Sequence, residues 1–120
     1  MTPRGAPADR FPRRGEIYLV RLDKDRQAVV ISADALNRYA FDVCVVPITS
    51  VERPRFSLRV PLQSAKPPQM RFLAKCDQVT MLDKTLLRYP PLGPLNDEAL
   101  KAIEQAIKRA LQLPYQLDRV

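Results

Sequence analysis

Short apolar runs separated by charged or proline-containing stretches dominate the chain and predict a mainly β fold. Residues 16–22 (EIYLVRL) alternate apolar and polar side chains, which indicates a half-buried strand. Residues 27–32 (QAVVIS) form a nearly unbroken apolar run, typical of a strand covered on both faces. Residues 41–50 (FDVCVVPITS) predict a third strand, whose proline favours the edge of a sheet or the end of a strand.

Two further strands complete the predicted sheet. Residues 51–62 predict a fourth strand, in which Phe56, Leu58 and Val60 alternate with polar residues, and residues 71–79 predict a fifth. With tight turns between them and one closing helix, five such strands predict a small, partly open β-barrel.

Capping residues mark two helices. Ser32 is a candidate N-cap for a short helix over 33–40, and Asn96 is one for a long helix over about 97–112. Residues 81–87 (MLDKTLL) predict a single helical turn, followed by an extended YPPLGPL. The buried stripe of the long helix is predicted to consist of Leu100, Ile103, Ile107 and Leu111.

Length and charge limit the function classes. A chain of 120 residues forms one domain, and its net charge of +7 favours nucleic acid, an acidic protein or an anionic membrane surface as partner. No apolar stretch approaches the ~20 residues that span a bilayer. Residues 1–12 are proline-rich and basic without an apolar core, so we expect a disordered arm rather than a secretory signal, and a cytoplasmic protein without a membrane partner.

The two cysteines are interpreted as structural. Cys44 and Cys76 each lie inside an apolar run and are predicted to be buried, reduced thiols. Since the chain has no histidine, two cysteines provide too few soft ligands for a zinc site, and we predict no metal site.

Polar side chains stand where three of the predicted strands begin or end. If the strands 27–32 and 41–50 pair antiparallel, Arg26 lies close to Thr49. Lys75 and Asp77 follow in the fifth strand, two residues apart and therefore on one face. A guanidinium, a hydroxyl, an ammonium and a carboxylate can together hold a phosphate and move protons around it.

Each of these groups also has a purely structural interpretation, and both interpretations stay open at this point. Arg26 can pair with Asp23 or Asp25, and Thr49 or Ser50 can satisfy the backbone of a turn. Lys75 and Asp77 can form a surface ion pair.

The segment from 52 to 75 is strongly basic. It contains one acidic residue, Glu52, and six cationic residues: Arg53, Arg55, Arg59, Lys66, Arg71 and Lys75. Phe56 and Phe72 can stack on bases if they are exposed, although both also fit core positions. On the short helix, Arg38 and Tyr39 are candidate contacts at the rim of the site.

Five segments in order make the chain resemble the MazF/PemK/Kid family of toxin endoribonucleases. They are RGEIYLVRL (14–22), DRQAVVIS (25–32), ALNRY (35–39), VVPITS (45–50) and KCDQVTMLDK (75–84). The resemblance covers about residues 13–112 and assigns 13–114 to the toxin domain and 115–120 to a tail.

The resemblance implies a barrel of the SH3-like, CcdB type with five to six strands, closed by a C-terminal helix and assembled as a homodimer. It implies cleavage of single-stranded RNA without metal or cofactor, in which the 2′-OH attacks phosphorus and leaves a 2′,3′-cyclic phosphate and a 5′-OH. The implied protein partner is a cognate antitoxin with an acidic, partly disordered segment.

Site residues follow from the same resemblance. Arg26 matches the active-site arginine, Thr49 the hydroxyl residue and Asp77 the proposed general base, while Lys75 stands where an arginine serves as acid or charge stabiliser. The residues implied in RNA binding are Gln27, Ser50, Arg53, Arg55 and Gln78.

Three departures from the family pattern keep a second hypothesis open. The long loop between the first two strands shrinks to Asp23–Asp25, Gln27 replaces the usual proline, and no histidine is present. A degenerate homologue that binds RNA or antitoxin without cleaving is therefore the alternative. A gyrase poison on the same fold is a third and weaker hypothesis. The polar groups of the candidate site argue against it, because they suit the binding of a phosphate.

Overall fold

The computed structural model describes residues 10–50, 59–63 and 71–114, with side chains except at four strand ends (Ser50, Arg59, Gln63 and Arg71). Seven strands, two α-helices and one 3₁₀ helix make up these residues. In chain order they are β1 (Glu16–Arg21), β2 (Asp25–Val30), α1 (Asp34–Tyr39), β3 (Asp42–Ser50), β4 (Arg59–Gln63), β5 (Arg71–Lys75), β6 (Thr80–Asp83), a 3₁₀ helix (Lys84–Leu86), β7 (Leu87–Pro94) and α2 (Asp97–Ala110).

All strand pairs are antiparallel and belong to one open sheet. The order is β4-β5-β3-β2-β1-β7, and β6 pairs with β3 outside this path. The mainly β fold with a C-terminal helix is thus confirmed, whereas the predicted count of five to six strands is too low. A helix long and apolar enough to span a membrane does not occur in the described part of the chain.

The strand missed by the sequence prediction is β6. Residues 81–87 were expected to form one helical turn, but Met81 to Asp83 belong to β6, and only residues 84–86 are helical. The physical reason is long-range: β3 begins at Asp42, and its backbone groups over 42–45 need partners that residues 80–83 supply.

The prediction that Pro47 marks a sheet edge or a strand end is wrong, because β3 is a central strand. It pairs with β2 on one side and with both β6 and β5 on the other. Thr80 of β6 is opposite Val45, and Ala74 of β5 is opposite Ile48. Pro47 lies in the interval between these two neighbours, where an absent N–H interrupts no regular ladder on that side.

The sheet carries apolar clusters on both faces. One cluster contains Val29 and Val46 and is covered by α2 through Ile103 and Ala106; the other contains Tyr18, Val20, Val30 and Val45. Residues 28–30 of β2 are all buried, which confirms the prediction that this strand is covered on both faces. The predicted stripe of α2 is correct at Ile103, but Leu111 is 57% exposed, because the helix ends at Ala110.

Helix capping follows the sequence at one helix and departs from it at the other. The Asn96 side chain accepts a hydrogen bond from the backbone N–H of Ala99 (2.7 Å), as predicted. Ser32 is not the N-cap of α1: Ala33 holds that position without a side-chain bond. The Ser32 hydroxyl instead accepts from the backbone N–H of Cys44 (3.0 Å) and bonds to the buried Asn37 amide oxygen, joining α1 to β3.

The structure describes the chain from residue 10 onwards, so residues 10–12 of the predicted arm are included. Pro12 is fully buried, and the Arg10 guanidinium forms an ion pair with Glu16 (3.1 Å). The Arg14 guanidinium donates to the backbone carbonyl of Ile31 and to Glu104, which ties the start of β1 to the end of β2 and to α2.

Lys84 is a buried cation whose side chain caps the C-terminal end of α1. Its ammonium donates to the backbone carbonyls of Asn37 (2.8 Å) and Arg38 (3.2 Å), two acceptors at the C-terminal end of the helix. We expect Lys84→Met to lower the free energy of unfolding by about 2–4 kcal/mol, because both carbonyls lose a charged donor in a buried place.

Urea denaturation would measure this loss, with Lys101→Met on the exposed face of α2 as control. The control should change stability by less than about 0.5 kcal/mol. Equal effects of the two substitutions would show that Lys84 has no special role.

Candidate nucleic-acid site

Arg26 and Thr49 stand at adjacent positions of neighbouring strands. The antiparallel ladder between β2 and β3 pairs Gln27 with Ile48, and the next step of that register brings Arg26 beside Thr49. Arg26 is also opposite Val20 in β1, so it shares the face of the second apolar cluster. The premise of antiparallel pairing is therefore confirmed.

Lys75 lies on the same face, one strand further. Thr49 pairs with Leu73 of β5, and Lys75 stands two residues beyond Leu73. Diagonal neighbours of this kind are typically ~7–8 Å apart between Cα atoms, within reach of long side chains. Arg26, Thr49 and Lys75 thus occupy one face of the consecutive strands β2, β3 and β5.

Asp77 and Gln78 belong to the turn that follows β5. The backbone N–H of Gln78 donates to the carbonyl of Lys75 (2.9 Å), and the Thr80 hydroxyl donates to the carbonyl of Gln78 (2.9 Å). This turn runs alongside β3 in the interval that contains Pro47. The premise that Asp77 continues the fifth strand is wrong, since β5 ends at Lys75, and strand alternation therefore does not fix the face of Asp77 relative to Lys75. Both Asp77 and Gln78 are exposed.

The ion pair of Arg26 is weak. Its Nε atom is 3.8 Å from the Asp23 carboxylate, and both side chains are largely exposed (48% and 78%). The other candidate partner, Asp25, pairs with Arg88 instead (3.3 Å). Exposed pairs contribute about 0–1 kcal/mol, so a phosphate can displace Asp23 at little cost.

A small apolar pocket adjoins Arg26. Its volume is about 100 Å³, and it is lined by Val20, Leu22, Arg26, Gln27, Ala28, Val45, Pro47, Thr80 and Leu82. Typical small-molecule sites measure about 300–1,000 Å³, so this pocket can receive only part of a nucleotide. Thr80 is a polar lining residue that the sequence analysis missed, because Thr80 lies between the predicted fifth strand (71–79) and the predicted helical turn (81–87) and was assigned to neither.

A larger groove of about 550 Å³ lies elsewhere and does not include Arg26. It is lined by Arg21, Thr85, Leu86, Leu87 and Arg88. Arg21 is opposite Asp25 and Arg88 is opposite Leu19, so both arginines project from the face of the sheet opposite to that of Arg26.

The other predicted contacts either lie outside the described residues or do not share the face of Arg26. Arg53, Arg55 and Phe56 lie outside the described residues, as does the side chain of Ser50. Gln27 lines the small pocket, although strand alternation assigns its side chain to the other face from Arg26. Phe72 packs against the first apolar cluster, which confirms its interpretation as a core residue.

The thiol beside the candidate base is inert. Cys76 is buried; burial, followed by the charge of Asp77, raises the pKa of its thiol from 9.0 to about 11. In the unfolded chain the thiol regains its ordinary pKa. The folded protein therefore holds this proton more tightly, and the stabilisation is complete below pH 9 and lost as pH rises towards 11.

We expect this single group to cost the protein about 2–3 kcal/mol of stability between pH 8 and 11. Urea denaturation of the wild type and of Cys76→Ala across this pH range measures the contribution of the thiol as the difference between their free energies of unfolding. The titration of the tyrosines contributes equally to both proteins and cancels in this difference. Parallel pH profiles for the two proteins would contradict the assignment.

Comparison with known proteins identifies a family that matches most of the chain. A family model described as PemK-like, MazF-like toxin of type II toxin–antitoxin system matches residues 13–111. No curated protein matches the chain.

Solved structures share the fold over most of the chain. An endoribonuclease from a mycobacterial species is 25% identical, with a TM-score of 0.75 over 92% of this chain and 100% of its own. A mycobacterial endoribonuclease in complex with its cognate antitoxin is 26% identical, with a TM-score of 0.74 over 88% and 99%. MazF from Deinococcus radiodurans, at 18% identity and a TM-score of 0.75 over 88% and 100%, shows the shared fold alone.

Proposed function

The chain belongs to the PemK-like, MazF-like toxins of type II toxin–antitoxin systems, and we propose that it is a metal-independent endoribonuclease that cuts single-stranded RNA at preferred sequences. The observation that carries the proposal is the shared face of Arg26, Thr49 and Lys75 on three consecutive strands, beside the turn that bears Asp77. Cations and a hydroxyl on that face suit a phosphodiester, and an exposed carboxylate nearby suits a general base.

Each group has a role in an internal displacement at phosphorus. Asp77 takes the proton of the 2′-OH, and the resulting oxygen attacks the adjacent phosphorus. The bond from phosphorus to the 5′-oxygen breaks, leaving a 2′,3′-cyclic phosphate and, after proton transfer to the leaving oxygen, a 5′-OH. Arg26 stabilises the charge of the transition state, Thr49 donates to a phosphate oxygen, and Lys75 supplies charge or the proton.

Binding and regulation follow from the surface charge. Gln27, Ser50, Arg53, Arg55 and Gln78 are the proposed contacts to the RNA on either side of the cleaved bond. A chain of net charge +7 also suits an antitoxin with an acidic segment that folds on binding. The active form is proposed to be a homodimer.

The test is an incubation of purified protein with a long single-stranded RNA in the presence of EDTA, followed by mapping of the new ends. We expect cuts with 5′-OH and 2′,3′-cyclic phosphate ends. A substrate with a single 2′-deoxy nucleotide before the main cut should resist cleavage there, because the nucleophile is missing. Cuts that persist at the deoxy position would disprove the internal 2′-OH mechanism.

The short hairpin between β1 and β2 favours a second candidate function. Only residues 22–24 separate these strands, so little chain is available near Arg26 to cover a substrate. In this alternative the protein binds RNA without cleaving it. Intact RNA in the same assay, together with binding that weakens steeply as salt increases, would favour this candidate.

A further inference from the structure

Four side chains at the far end of β2 form a continuous array of arginine and aromatic groups. The Arg13 guanidinium lies 4.0 Å from the centre of the Phe11 ring, and the Arg38 guanidinium lies 5.5 Å from both the Phe11 and the Tyr39 rings. All three distances are within the range of cation–π contacts. We refer to Phe11, Arg13, Arg38 and Tyr39 as the arginine–aromatic array.

The cations of this array lack acidic partners in the described part of the chain. Neither Arg13 nor Arg38 forms an ion pair there, in contrast to Arg10, Arg14, Arg26 and Arg88. The carboxylate of Glu16 accepts from the backbone N–H of Arg13 but is held by the Arg10 guanidinium and by Tyr18. Within the described residues, the array therefore presents two guanidinium groups that form no ion pair.

The Tyr39 ring, at the outer edge of the array, is accessible to solvent. Tyr39 is 78% exposed, and Phe41, two residues on, is 66% exposed. Solvated cations interleaved with open aromatic rings are the combination with which proteins hold single-stranded nucleic acid: the rings stack on bases, and the arginines neutralise phosphates. An acidic peptide would use the charges but would have no need of the ring faces.

The array is separate from the candidate cleavage site, which corrects the expectation that Arg38 and Tyr39 lie at its rim. α1 connects the end of β2 to the start of β3, whereas Arg26 and Thr49 stand at the start of β2 and the end of β3. Five residues of extended chain from Arg26 to Ile31 correspond to roughly 17 Å.

We propose that the arginine–aromatic array is a second binding site for single-stranded RNA. A base of the substrate stacks on the Tyr39 ring there, at a distance from the phosphate that is cleaved. This inference rests on the proposed function for the identity of the RNA as substrate. Very short oligonucleotides that fill only the cleavage site should not reach the array, and longer ones should.

Binding of RNA that cannot be cleaved tests the site independently of catalysis. The probes are single-stranded RNAs of increasing length with 2′-O-methyl groups at every position, titrated into the full-length protein. We expect Tyr39→Ala to weaken binding of the long probes by roughly 10- to 100-fold and to leave that of the shortest unchanged. Arg13→Gln and Arg38→Gln should each lower the salt dependence (the slope of log K against log salt) by roughly 0.7.

Two matched variants separate stacking from general surface effects. Tyr39→Phe keeps the ring and should bind like the wild type. Leu36→Ala removes an apolar side chain that is 60% exposed on the same helix and should also have no effect. Unchanged affinity of Tyr39→Ala for all RNAs would overturn the proposal, and so would a loss seen only for a polyglutamate peptide, which would mark a protein-docking surface.

The outcomes also separate this proposal from the proposed function. If the protein cleaves RNA but its affinity for RNA does not change when Tyr39 is replaced, the second binding site is refuted and the ribonuclease function is retained. Intact RNA in the EDTA assay together with binding that depends on Tyr39 would refute the ribonuclease and retain the site.

Discussion

Replacing Arg26 with alanine is expected to slow RNA cleavage by roughly 10²–10³-fold, the usual effect of removing one donor that stabilises charge in the transition state. The guanidinium is half exposed, and Arg26 is adjacent to Thr49 across the sheet; within the described residues its one ion pair is the weak contact to Asp23. Its loss should therefore leave the fold intact, and thermal unfolding of the variant should match that of the wild type.

Arg21→Ala is the matched control. Arg21 is an exposed arginine on the other strand of the same hairpin, one position from Val20, the residue opposite Arg26, but it projects from the opposite face of the sheet. Its removal takes away the same charge and should change the cleavage rate only a few-fold at moderate salt, where exposed charges are screened. Equal losses for Arg21→Ala and Arg26→Ala would indicate a general effect of net charge and contradict the assigned role.

Arg26→Lys distinguishes charge from geometry. Lysine keeps the positive charge but lacks the planar fork that binds a phosphate through two parallel hydrogen bonds. We expect its activity to fall between those of the wild type and of Arg26→Ala. Full activity would mean that Arg26 acts as a point charge alone.

Asp77→Asn is expected to lower the rate constant of cleavage by about 10²–10⁴-fold while RNA affinity stays close to that of the wild type. The amide matches the carboxylate in shape but cannot accept the proton of the 2′-OH at neutral pH. Single-turnover kinetics measure the rate constant, and binding of 2′-O-methylated RNA measures affinity without cleavage.

Glu98→Gln is the control for this substitution. Glu98 is an exposed carboxylate in the first turn of α2, on an element that contributes no residue to the candidate site. It should cleave like the wild type. An Asp77→Asn protein with full activity would mean that another group removes the proton; a joint loss of rate and affinity would instead assign Asp77 to RNA positioning.

Local patterns predicted the elements whose signals lie within a few residues. The alternation over 16–22 and the apolar run of 27–32 correspond to β1 and β2, and the Asn96 cap marks the start of α2. These succeed because side-chain period and capping chemistry are properties of neighbouring residues. Ser32 shows the limit: its hydroxyl found partners in Asn37 and Cys44, which a cap prediction from adjacent residues cannot anticipate.

The candidate site divides in the same way. The sequence determined the residue types, their order along the chain and the family resemblance, but it placed Arg26 beside Thr49 only on the premise that their two strands pair antiparallel. Only the tertiary structure decided that β3 is central despite Pro47, that residues 80–83 form a strand, that Asp77 belongs to a turn, and that Arg38 and Tyr39 lie at the far end of β2. Each of these depends on which distant strands share an edge of β3, and that choice is made by the burial and hydrogen bonding of the whole sheet rather than by any local pattern.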